Sequence, residues 1–466
     1  MKLIRIFMER PKSFPEFVKI TRQSDVDMKN VCRNRIIDFT SMALFLCCSA
    51  SVLSAEVLTL PQGLRIVTEE SRVLKITRQE ESISEADTLR AKAKMLPEIN
   101  ASLGQTFQAH QPKAVFGPQI VPISNKDYYN YSLSVQQTLF DFQGNASRFE
   151  ASKAILETKR LDTRRVRNLV AIEFALIYFD LLESEKRIIV AEKEIESLAS
   201  HLRDAQSLYE EGVITKNDLL QAEVRLSDAR QRLLSVKNLR AISGSRLNSV
   251  LARPLNADSQ VTDIAEFPNE SVLPELEKTW ETALKNRLEL RIVDETLRSL
   301  DLETVSTKSE YYPKFFLSGG YDFTQNRYMV SEGNWQLLAG MSLNIFRGGN
   351  TRAALMKIES QKLQLLQQKA KLEDDIRLEV ERYVLDLKDA RERLSVTKDA
   401  VGQAEENLRI NRIRYTEGVG TATDVLDAVA LLTVAGTNYY KALYDLQRAQ
   451  AAVFYAQGQD LTEVYQ

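Results

Sequence analysis

Residues 170–233 read VAIEFALIYFDLLESEKRIIVAEKEIESLASHLRDAQSLYEEGVITKNDLLQAEVRLSDARQRL, and this stretch decides the fold. Every third and fourth residue from Val170 gives Phe174, Ile177, Leu181, Ser184, Ile188, Ala191, Ile195, Leu198, Leu202, Ala205 and Tyr209, an apolar stripe that only Ser184 interrupts. A 3-4 spacing kept this long holds one narrow seam toward a partner helix, which is the coiled-coil pattern rather than the broader face of a globular helix. The stripe stops at Glu-Glu-Gly212-Val-Ile-Thr-Lys-Asn-Asp218. A glycine there can take the positive φ that ends a helix, and an Asp can cap the next one. The seam then resumes at Leu219, Ala222, Leu226, Ala229, Leu233 and Val236. The chain is therefore predicted to turn back on itself as a long antiparallel helical hairpin.

The same hairpin is written twice. A shift of 206 residues puts Tyr209 on Tyr415, Gly212 on Gly418, Asp218 on Asp424, Leu220 on Leu426, Ala222 on Ala428 and Leu226 on Leu432. A second seam descends from Ile376 to Tyr415 and a second returning limb runs from Val425 to Ala456. A repeat this long exceeds a solenoid unit and predicts one large unit of two similar halves, residues 56–258 and 259–466.

Ahead of each hairpin the period changes from 3.6 to 2. After Pro97, residues Ile99, Ala101, Leu103 and Phe107 alternate with Asn100, Ser102, Gly104 and Thr106; after a proline-rich loop over residues 110–127, Tyr129, Tyr131, Leu133, Val135 and Leu139 alternate with Asn130, Ser132, Ser134, Gln136 and Thr138. The second half repeats this from Phe315 to Thr324 and from Trp335 to Ile345. Four strands of about 11 to 13 residues, each with one apolar face, suit tilted transmembrane β-strands, and Tyr129, Tyr311, Trp335 and Phe346 stand near their ends as an interfacial girdle would. The competing reading is a pair of soluble hairpins half-buried on helices. If they lie in lipid, four strands cannot close a barrel, so several copies of the chain must supply the rest.

Residues 1–55 differ from the rest of the chain. Met28-Lys-Asn-Val-Cys-Arg-Asn-Arg precedes the apolar run Met42-Ala-Leu-Phe-Leu-Cys-Cys-Ser-Ala and small residues up to Ala55, the order of a secretory leader starting at Met28 or carrying an extension before it. Cleavage between Ala50 and Ala55 would remove Cys32, Cys47 and Cys48, leaving no disulfide, and the cysteine context does not match a lipidation box. Of 62 basic and 64 acidic residues, 53 and 59 would remain, about −6. No basic block suggests nucleic acid.

The order helix, Leu-Pro, strand, loop, strand, Leu139-Phe-Asp-Phe-Gln-Gly144, long hairpin with Tyr-x-x-Gly and Asp-x-Leu-x-Ala, all repeated with Ile345-Phe-Arg-Gly-Gly349, resembles the TolC family of outer-membrane efflux proteins. The resemblance spans essentially all of the chain after the leader. It implies a mainly α fold with a transmembrane β-barrel portion: a homotrimer with four β-strands per chain in a twelve-stranded barrel held in outer-membrane lipid, and a helical tunnel in the periplasm. A run of about 60 residues from Arg148 to Tyr209 would reach about 90 Å, and residues 58–95 and 274–308 would complete the shorter returning limbs. The resemblance also implies an outer-membrane channel component of a tripartite efflux or type I secretion system. Its partners would be a periplasmic adaptor (membrane fusion) protein and an inner-membrane pump of RND, MFS or ABC type. The cargo, small molecules or a secreted polypeptide, is left open.

By the same resemblance Tyr415, Asp424 and Asp427 match the residues that constrict the periplasmic entrance, with Asp218 as the first-half counterpart, and Gly212 and Gly418 match the tips that meet the adaptor. Three copies of each Asp would form carboxylate rings with some pKa values raised and an attraction for cations. One departure is Gly420, where relatives that latch neighbouring hairpins carry an arginine. Bland readings stand beside these: Asp218 and Asp424 as helix caps, Gly212 and Gly418 as turn residues, Tyr415 as packing. Asp427, one turn inside the returning helix, is not explained by capping. His110 in a loop and His201 on a charged helix face have no nucleophile, metal cluster or phosphate loop beside them, so neither catalysis nor a cofactor is expected. The alternative class is a periplasmic coiled-coil scaffold without a pore.

Overall fold

The computed structural model describes residues 57–263 and 273–465. The expected leader, its cleavage region and all three cysteines lie outside the described residues. Along the chain come α1 (Leu60–Glu70), α2 (Arg72–Ala93), β1 (Glu98–Phe107), β2 (Lys113–Phe116), β3 (Gln119–Pro122), β4 (Asp127–Phe140), α3 (Gly144–Glu210) and α4 (Lys216–Val250). Next are α5 (Leu276–Asn286), α6 (Leu288–Lys308), a 3-10 turn at Ser309–Tyr311, β5 (Lys314–Thr324), β6 (Gly333–Ser342), α7 (Asn350–Thr416), α8 (Ala422–Ala456) and α9 (Leu461–Val464).

No proline falls within α3, α4, α7 or α8, so nothing removes a donor from their hydrogen-bond ladders. The long limbs α3 and α7 have 67 residues each and the returning limbs α4 and α8 have 35 each, about 100 Å and about 52 Å at 1.5 Å per residue. The long limb exceeds the expected 60 residues because it begins at the strand's corner rather than at Arg148. There the backbone turns left-handed at Phe142 and Gln143 (φ 50° and 69°), and at Gly348 and Gly349 (φ 60° and 83°) in the second half. The first corner is held by Phe142 stacked on Tyr312, ring centroids 4.7 Å apart, and by Asn145 N–H donating to Asp141 Oδ2 at 2.7 Å. Near that end, where α4 and α8 do not reach, α2 and α6 flank α3. Thr88 Oγ1 donates to the Ser152 carbonyl at 3.3 Å and Ser306 Oγ to the Gly144 carbonyl at 2.9 Å.

The stripe is the buried side of α3: Val170, Phe174, Leu181, Ala191, Leu198 and Ala205 are all enclosed. Ser184, its one polar member, is also buried and satisfies itself by donating to the Leu181 carbonyl at 2.6 Å, which is why it does not break the helix seam. Half-way along α3, Phe174, Tyr178, Phe179 and Leu182 form a core with Leu60, Leu64 and Val67 of α1, Leu247 of α4 and Tyr444 of α8. Tyr178 Oη donates to the carbonyls of Leu58 (3.0 Å) and Thr262 (2.7 Å), tying both ends of the first half to one helix.

The four long strands form one antiparallel sheet in the order β1-β4-β5-β6, with the halves joined across β4 and β5. Period-two alternation gives its faces opposite character. Tyr131, Tyr321, Phe323 and Trp335 cluster on one, Tyr131 stacking on Phe323 at 4.6 Å. On the other, Ser102 and Ser132 share a 2.8 Å hydrogen bond and Gln336 donates to Asp322 at 2.6 Å. Two expectations need correction. The loop over residues 110–127 contains a separate two-stranded hairpin, β2 with β3, reversing at Gly117 (φ 59°); its prolines stand before β2, in the turn and at the end of β3, where no ladder donor is lost. β6 ends at Ser342, short of Ile345. Residues 58–95 and 274–308, expected as helical partners of the long limbs, each hold two helices, which meet at Ser71 and at Arg287.

Candidate functional site: the hairpin tips

At both tips a glycine takes the left-handed backbone that ends the long helix, Gly212 at φ 76° and Gly418 at φ 72°. The amides beyond it bond back into the last turn: Gly212 N–H to Tyr209 (3.0 Å) and Val213 N–H to Leu208 (2.8 Å), and correspondingly Gly418 N–H to Tyr415 (3.1 Å) and Val419 N–H to Arg414 (2.9 Å). The returning helices start from a shared device. Thr215 and Thr421 are the N-caps, each accepting from the amide three residues on, while Asp218 and Asp424 reach back to the cap's own N–H at 3.1 and 3.0 Å. These are capping boxes with Asp at the third helical position. The aspartates therefore complete the cap from inside the helix instead of being the cap residue, which corrects that part of the sequence reading.

Asp424 and Asp427 lie one turn apart on the exposed side of α8. The Thr421 backbone N–H, then its hydroxyl, then Arg414 hold the Asp424 carboxyl below the usual carboxylate value of 3.8. Within one chain the shift is thus opposite to the rise expected of a carboxylate ring. Tyr415 is 3% exposed, in a core with Leu198 of α3, Leu226 of α4, Leu408 of α7 and Val425 and Leu426 of α8. Its hydroxyl has no hydrogen-bond partner among the described residues. Asp218, committed to Thr215, acts on it only through its charge: burial first, then the Asp218 and Asp204 carboxylates, push the phenol's pKa up.

His201 is the tip residue whose surroundings the sequence reading misplaced. It is 1% exposed, not on a charged face, and its ring packs against Tyr415 with centroids 4.9 Å apart. Its Nε2 has no hydrogen-bond partner among the described residues, nor does Nε of Arg412 on α7. The available signal was register: His201 stands three residues after Leu198 and four before Ala205, on the seam side of the helix. Gly420, in place of the expected arginine, has its N–H on the Arg414 carbonyl at 2.9 Å, and a Cβ there would meet the Arg414–Tyr415 backbone at 3.1 Å. His110 stays in the loop between strands.

Among the described residues no helix is long and apolar enough to cross a membrane, and no group of three or more His, Cys, Asp or Glu side chains is placed to hold a metal ion. The sheet presents an exposed apolar face. A family model for outer membrane efflux proteins matches residues 65–253 and 280–459. The chain belongs to the outer membrane efflux protein family. It is 21% identical over 386 residues to nodulation protein T of Rhizobium leguminosarum bv. trifolii, covering 81% of this chain and 80% of that one. It is 23% identical over 352 residues to the alkaline protease secretion protein AprF of Pseudomonas aeruginosa, covering 71% and 70%. The outer-membrane channel OprN shares the fold, with a TM-score of 0.73 at 18% identity over 86% of this chain and 89% of that one. As a member of this family, the chain is the outer-membrane channel component of a tripartite export system, extending into the periplasm, and the family works with an adaptor and an inner-membrane pump.

Proposed function

We propose that this family member is a passive export duct that works only as a homotrimer, three sheets closing one twelve-stranded barrel above a tunnel of α3, α4, α7 and α8 from the two repeats, residues 56–258 and 259–466. The observation that carries the reading is the sheet's open edges. Neither β1 nor β6 has a second neighbour among the described residues, while Leu103, Trp335 and Leu337 are 80%, 74% and 78% exposed. An unpaired edge in lipid costs several kcal/mol per backbone group, so sibling chains must supply the missing partners. The chain itself carries out no catalysis.

Tyr415, Asp424 and Asp427 constrict the periplasmic entrance, with Asp218 supporting Tyr415 from the first hairpin, and the tips at Gly212 and Gly418 receive the periplasmic adaptor. The inner-membrane pump, of RND, MFS or ABC type, supplies the energy. AprF is named for protease secretion, which supports a polypeptide as one cargo class beside small molecules. Recording from the purified protein in lipid bilayers tests the gate. Asp424→Ala with Asp427→Ala is expected to raise conductance or lessen block by multivalent cations, and unchanged traces would remove both carboxylates from the gate.

A further inference from the structure

Three buried polar atoms have no hydrogen-bond partner among the described residues where the first hairpin meets the second near the tip: Nε2 of His201 on α3, Oη of Tyr415 on α7 and Nε of Arg412 on α7. An unmade hydrogen bond in a buried place is costly, and a cluster of them in one contact calls for an explanation. Nothing but packing fixes the Tyr415 ring, because Asp218 spends its Oδ2 on the Thr215 amide and hydroxyl. The ring rests instead on the His201 imidazole at 4.9 Å.

Such a seat works for a neutral imidazole. His201 is enclosed, and burial is the main influence against a charge on it; the Asp204 carboxylate on its own helix favours one, and the Arg412 guanidinium opposes it more weakly. The other charged group near the pair is Asp218 of α4, acting on Tyr415, and α8 brings the apolar Ala422, Val425 and Leu426 to this core. A proton on His201 would therefore put a charge into an enclosed site whose burial the Asp204 carboxylate offsets only in part.

We propose that His201 is the positioning residue of this gate: neutral, it seats Tyr415 in the closed tip, and protonated, it displaces Tyr415, so that acidification opens the duct. The inference rests on the reading of Tyr415 as a constriction residue and adds its regulation. The direction comes from linkage. The closed form resists the proton more than an open form in which the imidazole meets water, so opening is unaffected above the ordinary histidine value of 6.5. Below it the open fraction grows until the pH passes the depressed value of the closed form. Each imidazole contributes up to about tenfold per pH unit in that window.

The chain has two histidines, His110 and His201, which makes the test direct. Single-channel recordings of the trimer in lipid bilayers from pH 8 to pH 5 are expected to show open probability rising below about 6.5, with the rise absent in His201→Phe. A carboxylate ring with raised values is the competing source of such a rise, so the rise is also expected to persist in Asp424→Ala with Asp427→Ala. In His110→Asn protein, ring-nitrogen NMR is expected to find His201 uncharged at pH 7 and titrating below the usual histidine range; this readout does not depend on the phenylalanine variant folding. A pH response kept in His201→Phe, a conducting wild type with no response, or an imidazole already charged at pH 7 would overturn the role of His201 and leave the duct standing. No conductance in either the wild type or Tyr415→Ala would remove the duct and this gate residue together.

Discussion

The two hairpin tips share one turn and differ in what covers it. Both use a left-handed glycine, a threonine cap and an aspartate that closes the capping box, and both place a tyrosine three residues before the glycine. Yet Tyr209 is 40% exposed and Tyr415 only 3%. The turn is local chemistry and was copied with the repeat, whereas burial of Tyr415 comes from α3 of the other hairpin, through Leu198 and His201. A symmetric sequence thus gives two tips that are unequally packed.

That comparison can be broken most visibly with Tyr415→Ala. Emptying a fully packed aromatic site costs about 3–5 kcal/mol, so a large drop in denaturation midpoint is expected. Tyr209→Ala should cost under about 1 kcal/mol, because an exposed ring loses little packing; equal losses would mean that the tips are alike. Gly420→Ala comes next. Its Cβ would press on the Arg414–Tyr415 backbone at 3.1 Å, an overpacking expected to cost about 1–3 kcal/mol, measured in the same titration. Thr421→Ala should cost about 1 kcal/mol through loss of the cap, as should Thr215→Ala. The Asp424 part of that box is present above pH 3.8 and lost as the pH falls through its lowered value, so acid titration should narrow the gap between wild type and Thr421→Ala. The smallest effect is expected from Tyr415→Phe. Its hydroxyl has no partner to lose, so stability should hold within about 1 kcal/mol, and a large loss would reveal a hydrogen bond made only in the assembled channel.

Much of this architecture is legible from spacing because a few physical rules act along one element at a time. The seam from Val170 to Tyr209 and the alternation from Tyr129 to Leu139 are periodicities, and periodicity reports which side of an element is buried. What escaped depended on other elements. His201 looked solvated beside Arg203 and Asp204, but α7 covers it. The β2–β3 hairpin was hidden by Pro112, Pro118 and Pro122, which read as a loop until their edge positions are known. Asp218 and Asp424 were placed in the right motif with the wrong cap position, because Thr-x-x-Asp and a lone Asp cap look alike until the hydrogen bonds are seen. The repeat pairs Gly212 with Gly418 and Asp218 with Asp424, whereas the gate reading of Tyr415, Asp424 and Asp427 came from the family resemblance and Asp427 has no counterpart in the first half.

The sheet gives the most direct test of all. Its two open edges and bare apolar face demand neighbours, and the mass of the particle extracted from outer membranes counts them. Native mass spectrometry in detergent is expected to find three copies of the chain, held together until the detergent is stripped and heat applied. A single chain that stays dissolved without detergent would contradict the barrel and everything built on it.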